Sequence, residues 1–515
     1  ARPRRVVIPS PTSVRRPGLA HAARQRTQRA WREGDERGHR ATAREAAEGG
    51  GVRGRGESAQ KEEGLGAVGA AGRALGLALL LLGAGCGVDP APPATRPHIL
   101  LLTLDTTRAD RLGLHGHARD TSPNLDALAR EGVVYTHAYA TSSWTLPSHA
   151  SLFTGKFTAS HGSRYDPEGP LHLLDVLDDR PASADFRARG LSPDERTLAA
   201  ILAEAGFETA AVVAGPWMKR VFGLDAGFAH YDDRDITRLD GRPAARVTDA
   251  ALAWLDGRGA RPFFLFLNYY DPHGPYRPPL EFLRALDPTA ERVQEGRLTD
   301  AELSLHYDAE IRAMDHHLGR LFRGLRARGL YEDTWILVTA DHGELLGEHG
   351  KRGHGKYLTQ PELHIPLLVK HPGRRRQGRR VDTPMQLVDI LPWIARELDL
   401  ERPQGIQGGA PPDPAHPVLA EAYPLRAASP DGHWRVLFEG PWKFVWSSLG
   451  HHALFDLVAD PAEQRNRIRA EPQRAREMHE RLERYLESLP APGQARAAEV
   501  DAETREALES LGYIE

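Results

Sequence analysis

Asp105, Thr145, Asp341 and His342 are the residues whose types and placement can do chemistry together. Two aspartates and one imidazole offer donors for a single divalent cation, and calcium, manganese and zinc all accept such a set. A cation there would act as a Lewis acid and lower the pKa of a nearby hydroxyl. Thr145 as a fourth ligand would become an alkoxide nucleophile. It stands in Thr141-Ser142-Ser143-Trp144-Thr145-Leu146-Pro147-Ser148-His149-Ala150-Ser151-Leu152-Phe153-Thr154-Gly155. Pro147 suits the first turn of a helix and Gly155 its stop. A side chain just ahead of such a helix faces unpaired N–H groups, where phosphate or sulfate binds readily. The plain alternative for an Asp-His pair after an apolar run is a turn. What counts against it is that several such ends recur in one chain.

The elements that must position these groups alternate. His98–Asp105, Phe207–Ala214, Pro262–Asp271, Trp335–Asp341 and Pro361–Lys370 read as strands, several of them continuously apolar. Such runs suit strands buried on both faces of a parallel sheet, where ligands bind beyond the carboxyl ends. Helices are expected over 123–132, 196–205, 247–255 and 300–330. Together these predict an α/β domain over 98–400 with a mostly parallel central sheet and helices on both faces. Residues 164–190 read as a surface insertion near the site mouth. Pro403–Pro417 is a Gly/Pro-rich linker. Residues 401–490 read as a small α+β subdomain, with a hairpin of 434–438 and 442–446, a strand at 454–457 and a helix at 475–489; 491–515 is a tail.

The chain has 515 residues and a formal net charge of -3, with 67 basic and 70 acidic residues. Residues 1–85 hold 16 basic and 8 acidic residues, so the remainder carries a net -11. An acidic body of this kind argues against a nucleic-acid partner. The single cysteine, Cys86, excludes an intramolecular disulfide and a multi-cysteine zinc site. It follows a basic residue, Arg73, and a short apolar run ending Gly83-Ala84-Gly85. Residues 65–86 therefore resemble a bacterial lipoprotein signal, with 87–97 as a tether. The expectation is an exported, periplasmic or cell-envelope lipoprotein held to a membrane through a lipid on Cys86. The alternatives are an ordinary secretory signal, or a buried helix with a free thiol. Residues 1–64, in which nine arginines precede the first acidic residue, Glu33, read as a translated upstream region or a disordered basic arm.

Taken as a set, four motifs resemble the sulfatase family of the alkaline-phosphatase superfamily: Leu104–Asp110, Thr145–Gly155, Asp271-Pro272-His273-Gly274-Pro275-Tyr276 and Thr339–Glu344. Gly440–Phe444 through Leu454–Pro461 is similar to that family's C-terminal subdomain. The resemblance spans about 96–490 and implies the superfamily's α/β sandwich and a divalent metal. It also implies roles for basic residues that spacing alone does not assign. Lys356 resembles the sulfatase lysine that contacts the substrate oxyanion, and His354 is its neighbour. His273 is a further candidate to protonate a leaving oxygen. His149 stands where the family carries an arginine, either touching substrate or capping its own helix.

The departures from the family pattern bear on the reaction. The position of Thr145 is a Cys or Ser in sulfatases, converted to formylglycine, and a threonine does not give that aldehyde. Thr106 replaces the second of two paired aspartates. The usual Lys-x-His stretch is not recognisable, and Lys219 is the nearest substitute. A threonine nucleophile is the device of phosphate-transferring relatives in the superfamily. The resemblance thus implies a metal-dependent hydrolase or transferase acting on a sulfated or phosphorylated small molecule, lipid or glycan, with Thr145 attacking a phosphate ester. The alternatives are a sulfuric ester hydrolase without formylglycine and a degenerate member that only binds a glycan. Glu344 reads either as a partner that supports one of the ligands or as part of a solvated face, while His349, Arg108, Asp110, Trp442 and Trp446 read as loop, packing or ion-pair residues.

Overall fold

A computed structural model of the chain describes residues 96–166, 169, 171–172, 187–291, 298–411, 417–423 and 432–493. Every described residue lies within Pro92–Glu515. Cys86, the signal-like segment, the tether up to residue 95, most of the 164–190 insertion and the tail from 494 lie outside the described residues. Among the described residues, no helix is long and apolar enough to cross a membrane.

A nine-stranded sheet organises the molecule. Its strands are β1 (His98–Leu104), β2 (Val133–Tyr139), β3 (Glu208–Val212), β4 (His230–Asp232), β5 (Phe263–Tyr269), β6 (Thr334–Thr339), β7 (His364–Lys370) and β8 (Arg379–Val381), in the order β8-β2-β7-β6-β1-β5-β3-β4. Met385–Gln386 also pairs with β2. β1 is parallel to both β5 and β6. Its run His-Ile-Leu-Leu-Leu-Thr-Leu is mostly apolar because both faces are covered. Ile99 and Leu101 enter one core, Leu100, Leu102 and Leu104 the other. The expected strand at 361–370 begins at His364 and runs antiparallel to both β2 and β6. Hydrophobicity reports burial and says nothing of direction. Because β7 is reversed, β2 on its far side again points the same way as β6.

Helices cover both faces: α1 (Pro123–Glu131), α2 (Thr145–Thr154), α3 (Leu198–Glu204), α4 (Ala244–Gly257), α5 (Asp300–Ala327) and α6 (Leu387–Glu397). Leu146, Leu152, Leu198 and Ile390 pack in the first core, and Leu125, Val247, Tyr307 and Met314 in the second. α5 opens with a capping box, in which Glu302 N–H donates to Thr299 Oγ1 and Thr299 N–H to Glu302 Oε2. It ends at Ala327, three residues before the expected Leu330, with Gly329 left-handed at φ +68°.

The α2 start differs from the expectation by one residue that matters. Thr145 is the first residue of the helix, not the residue ahead of it, and Trp144 is the extended N-cap. Pro147 is therefore the third helical residue. The first N–H groups of a helix have no internal partner, so a proline is tolerated at each of these positions and does not mark the first one.

The C-terminal sheet has four antiparallel strands: β9 (Val418–Ala422), β10 (Trp434–Glu439), β11 (Trp442–Ser447) and β12 (Ala453–Asp456). The hairpin turn at Gly440-Pro441 is where the composition placed it. β9 was not expected, since Val-Leu-Ala-Glu-Ala carries little strand signal alone. It docks on the main sheet, with Gln386 exchanging two hydrogen bonds with the Leu419 backbone and Glu421 N–H donating to Thr141 O. α7 (Pro472–Ser488) closes the chain. The fold is thus an α/β sandwich with a mixed, mostly parallel central sheet and an antiparallel C-terminal sheet.

Candidate active site

β6, β1 and β5 lie side by side and parallel, so their carboxyl ends emerge together. Asp105 follows β1 and Asp341-His342 follow β6. β2, pointing the same way, leads through residues 140–144 into α2 and brings Thr145 to the same end. Asp105, Asp341 and His342 each present a donor atom within 4.8 Å of the others, and all three are buried. Thr145 Oγ1 lies 3.4 Å from His342 Nε2. His342 Nδ1 is 2.9 Å from the carbonyl of Gly343, which only accepts, so Nδ1 carries the hydrogen and Nε2 offers its lone pair.

The hydrogen bonding around this set is incomplete in one direction. Asp341 Oδ1 accepts from the N–H groups of Thr106 and His342, at 3.2 and 2.9 Å. Asp341 Oδ2 and both carboxylate oxygens of Asp105 are buried with no hydrogen-bond partner among the described residues. Burial and the neighbouring Asp341 push the Asp105 carboxyl well above the ordinary range. Burial pushes Asp341 the same way, but the His342 and His149 rings and two backbone N–H groups hold it below normal. Two acid groups forced apart, three unsatisfied oxygens and one imidazole lone pair are what a divalent cation would satisfy. The residues present fit a metal, and their donor set does not single out which one.

His149 is wholly buried beneath the set. Its Nδ1–H donates to Thr145 O at 2.8 Å, and its Nε2 accepts from Thr103 Oγ1 at 2.9 Å. Thr103 in turn accepts from Asn268 Nδ2 at 3.3 Å, and Asn268 Oδ1 receives the N–H groups of Ala214 and Gly215. His149 therefore fixes the backbone of Thr145, and burial keeps its ring below the ordinary histidine pKa.

A second group lies alongside. His354 Nδ1 is 3.0 Å from Glu344 Oε1, and the His354 ring is 4.5 Å from that of His342 and 4.9 Å from that of His273. Burial lowers the His354 pKa, but the Glu344 carboxylate outweighs it and the net shift is upward. His273 stacks on Tyr270 at 4.3 Å, and its Nδ1–H donates to Gly274 O. Burial and the nearby His354 bring its pKa down to about 3. Lys356 makes no hydrogen bond or ion pair among the described residues. Lys219 donates to Ile236 O, 3.3 Å away. Asp271, at the end of β5, turns aside to cap α4 through Ala244 N–H at 2.8 Å.

Several contributors were not legible as such. Thr106 sits at φ +53°, a conformation costly for a branched residue, and its Oγ1 is buried without a partner among the described residues. Tyr307, from the middle of α5, holds that turn by donating to Thr106 O at 2.7 Å. Arg108, expected as a salt-bridge residue, ion-pairs with Asp110 and Glu348 and donates to Glu344 O. Glu344 was visible beside the Asp-His pair, but nothing in its spacing pointed to His354.

Comparison with known proteins agrees with this architecture. A model of the family described as Sulfatase matches residues 97–399. An ulvan-active sulfatase of Formosa agariphila is 27% identical over 417 residues, covering 74% of this chain and 78% of that protein. A multifunctional alkaline phosphatase superfamily protein, PehA, of Trinickia caryophylli is 27% identical over 478 residues, covering 72% and 91%. The crystal structure of a phosphonate monoester hydrolase of Agrobacterium radiobacter superposes with a TM-score of 0.60 at 20% identity, covering 76% and 95%, a likeness of fold. With the family model spanning more than half of its length, the chain belongs to the sulfatase family of ester hydrolases.

Proposed function

We propose that this family member is a metal-dependent phosphoester hydrolase or phosphotransferase that works through Thr145. The observation that carries the reading is Thr145 Oγ1 at 3.4 Å from His342 Nε2, at a helix N-terminus, beside carboxylate oxygens that lack partners. Asp105, Asp341 and His342 would hold the cation, with Thr145 completing the set. When bound, the cation supplies Lewis acidity that favours the ionised hydroxyl and offsets anionic charge. Thr145 Oγ1 forms a bond to phosphorus as the bond to the leaving oxygen breaks. His354, charged through Glu344, gives that oxygen a proton. His273 is neutral with its hydrogen committed to Gly274 O, so it fits an acceptor of a substrate hydroxyl better than an acid. The threonyl ester is then released to water or an acceptor alcohol. Thr145 stands where sulfatases carry a Cys or Ser destined for formylglycine, and a threonine supports phosphorus chemistry instead.

The test is turnover with metal present. Thr145→Ala should lower phosphodiester turnover by at least about a thousandfold. The Thr145 peptide of the parent protein should gain phosphate in mass spectrometry. Unchanged turnover in the variant sinks the nucleophile. A second reading, hydrolysis of a sulfuric ester without formylglycine, is favoured by the ulvan-active relative, and faster turnover of an aryl sulfate than an aryl phosphate would select it. The lipid anchor on Cys86 belongs to the same proposal, as does export. Cys86→Ser should move the protein from the membrane to the soluble fraction of cells, and an unchanged distribution would remove the anchor.

A further inference from the structure

At the end of the main sheet opposite the candidate site, the chain carries a concentrated patch of charge. β7 runs antiparallel to β6 and ends at Lys370, which pairs with Ile336 near the β6 start. Residues 371–380 therefore leave the sheet away from Asp341 and His342, which follow the other end of β6. This loop holds Arg374, Arg375, Arg376, Arg379 and Arg380 and no acidic residue, and 373–380 is exposed throughout. Removing these five charges would take the net charge of residues 86–515 from -11 to -16, so they form a basic pole on an acidic body. Arg374 pairs with Glu332 at 2.8 Å, Arg376 approaches Glu397 within 3.9 Å, and Arg380 donates to Leu114 O at 3.0 Å. The side chains of Arg375 and Arg379 make no hydrogen bond or ion pair among the described residues. β8 is an edge strand, and charge there keeps it from pairing with another sheet. Arg374, Arg375 and Arg376 precede the strand and have no such use.

The loop is held in a costly shape. Arg374 and Arg376 sit at φ +54° and +65°, a region disfavoured for any residue with a Cβ, and such strain persists where the surroundings impose it. Its root is fixed to the turn before β6. Lys370 Nζ donates to Glu332 O and Thr334 O at 3.1 and 3.2 Å, and Gly373 N–H to Glu332 O at 2.9 Å. The same turn receives the start of β1, where His98 N–H donates to Asp333 O at 3.1 Å and His98 pairs with Thr334. The chain therefore enters the described residues beside the root of the arginine loop. Ten residues separate Cys86 from Arg96, a reach of at most about 35 Å fully extended.

We propose that the arginine loop docks on a membrane surface of anionic phospholipid and turns the sheet end that bears Asp105, Asp341 and His342 away from it. The choice of a membrane over a soluble polyanion rests on the lipid-anchor reading of Cys86. Arginine clusters of this size bind acidic headgroups electrostatically, and the same surface repels the acidic remainder of the body. The test uses the full chain with Cys86→Ser, so that no lipid contributes. It is sedimented with vesicles of mixed phosphatidylglycerol and phosphatidylcholine, or of phosphatidylcholine alone. Binding to the mixed vesicles should be the stronger and should fall with salt. Arg375→Glu combined with Arg379→Glu should weaken it at least about tenfold. Melting temperature and turnover should not change, because these two side chains have no partner to lose. Hydrogen exchange in 371–381 should slow with the mixed vesicles, a readout separate from the basic residues ahead of Glu33. Equal binding with and without the two reversals, or protection confined to other segments, overturns the proposal. So does binding of dextran sulfate through the loop without binding of vesicles, which would give the loop a glycan partner. If Cys86→Ser leaves the distribution in cells unchanged while the loop still governs vesicle binding, the anchor reading fails and the docking surface stands.

Discussion

At the scale of single residues, the geometry of the site depends on groups buried beneath it. His149 bonds to Thr145 O on one side and Thr103 Oγ1 on the other, and both contacts are buried. Replacing it by phenylalanine strands a carbonyl and a hydroxyl, at a cost of about 2 kcal/mol of stability. The nucleophile would also lose its fixed approach. His149→Phe should therefore lower kcat at least about tenfold with little change in KM. A rise in KM at constant kcat would instead make His149 a substrate contact. Thr106 shows the same logic, since its strained backbone aims its N–H at Asp341 Oδ1.

At the scale of elements, the decisive contact joins the end of β6 to the turn before β7. Gly343 N–H donates to Glu362 O at 2.7 Å and Glu344 N–H to Pro361 O at 3.1 Å. This short ladder sets the direction in which His342 leaves the strand. A Cβ on Gly343 would lie 2.0 Å from Pro361 O, so the glycine is required by close approach of backbone. Gly343→Ala must part the two segments. We expect a loss of about 2 kcal/mol or more in stability, and at least about tenfold weaker binding of manganese by titration calorimetry. A variant with parent-like metal affinity would show that the ladder does not position His342.

At the scale of the whole molecule, the C-terminal sheet is tied to that same turn. Lys443 of β11 is buried and donates to Leu358 O and to Glu463 Oε1, both at 2.5 Å. Glu463 Oε2 accepts Gln360 N–H at 2.7 Å. Between the two sheets lies Glu362, wholly buried, with Oε2 bonded to Thr359 and Oε1 without a partner among the described residues. Burial raises its carboxyl from 4.5 to about 7. The unfolded chain ionises at the lower value, so between the two the folded protein holds the extra proton. That contribution is fully present below about 4.5 and is lost as pH rises through about 7, roughly 3 kcal/mol in all. Melting temperature should fall across this window in the parent and be flatter in Glu362→Gln. Equal slopes in the two proteins would place the dependence elsewhere.

How much of this was legible follows from what each signal measures. The strands His98–Leu104 and Thr334–Thr339 announced themselves because burial on both faces demands continuous apolar runs, and Asp105, Asp341 and His342 stood at their ends. The motifs around Thr145 and Asp341 carried the family. The reversal of β7, the one-residue shift of the α2 start and the strand Val418–Ala422 were not legible, since direction and docking depend on partners far away in the chain. Nor was the sorting of the basic residues. His149 turned out to be buried under the nucleophile's backbone, His354 joined to Glu344, and His273 neutral against Gly274. The sequence by itself determined which chemical groups exist and which strands deliver them, because composition and period are local. Only the tertiary structure decided their protonation and their partners. Those properties arise from desolvation and contact between residues up to two hundred or more positions apart, as in the bond from Thr106 to Asp341.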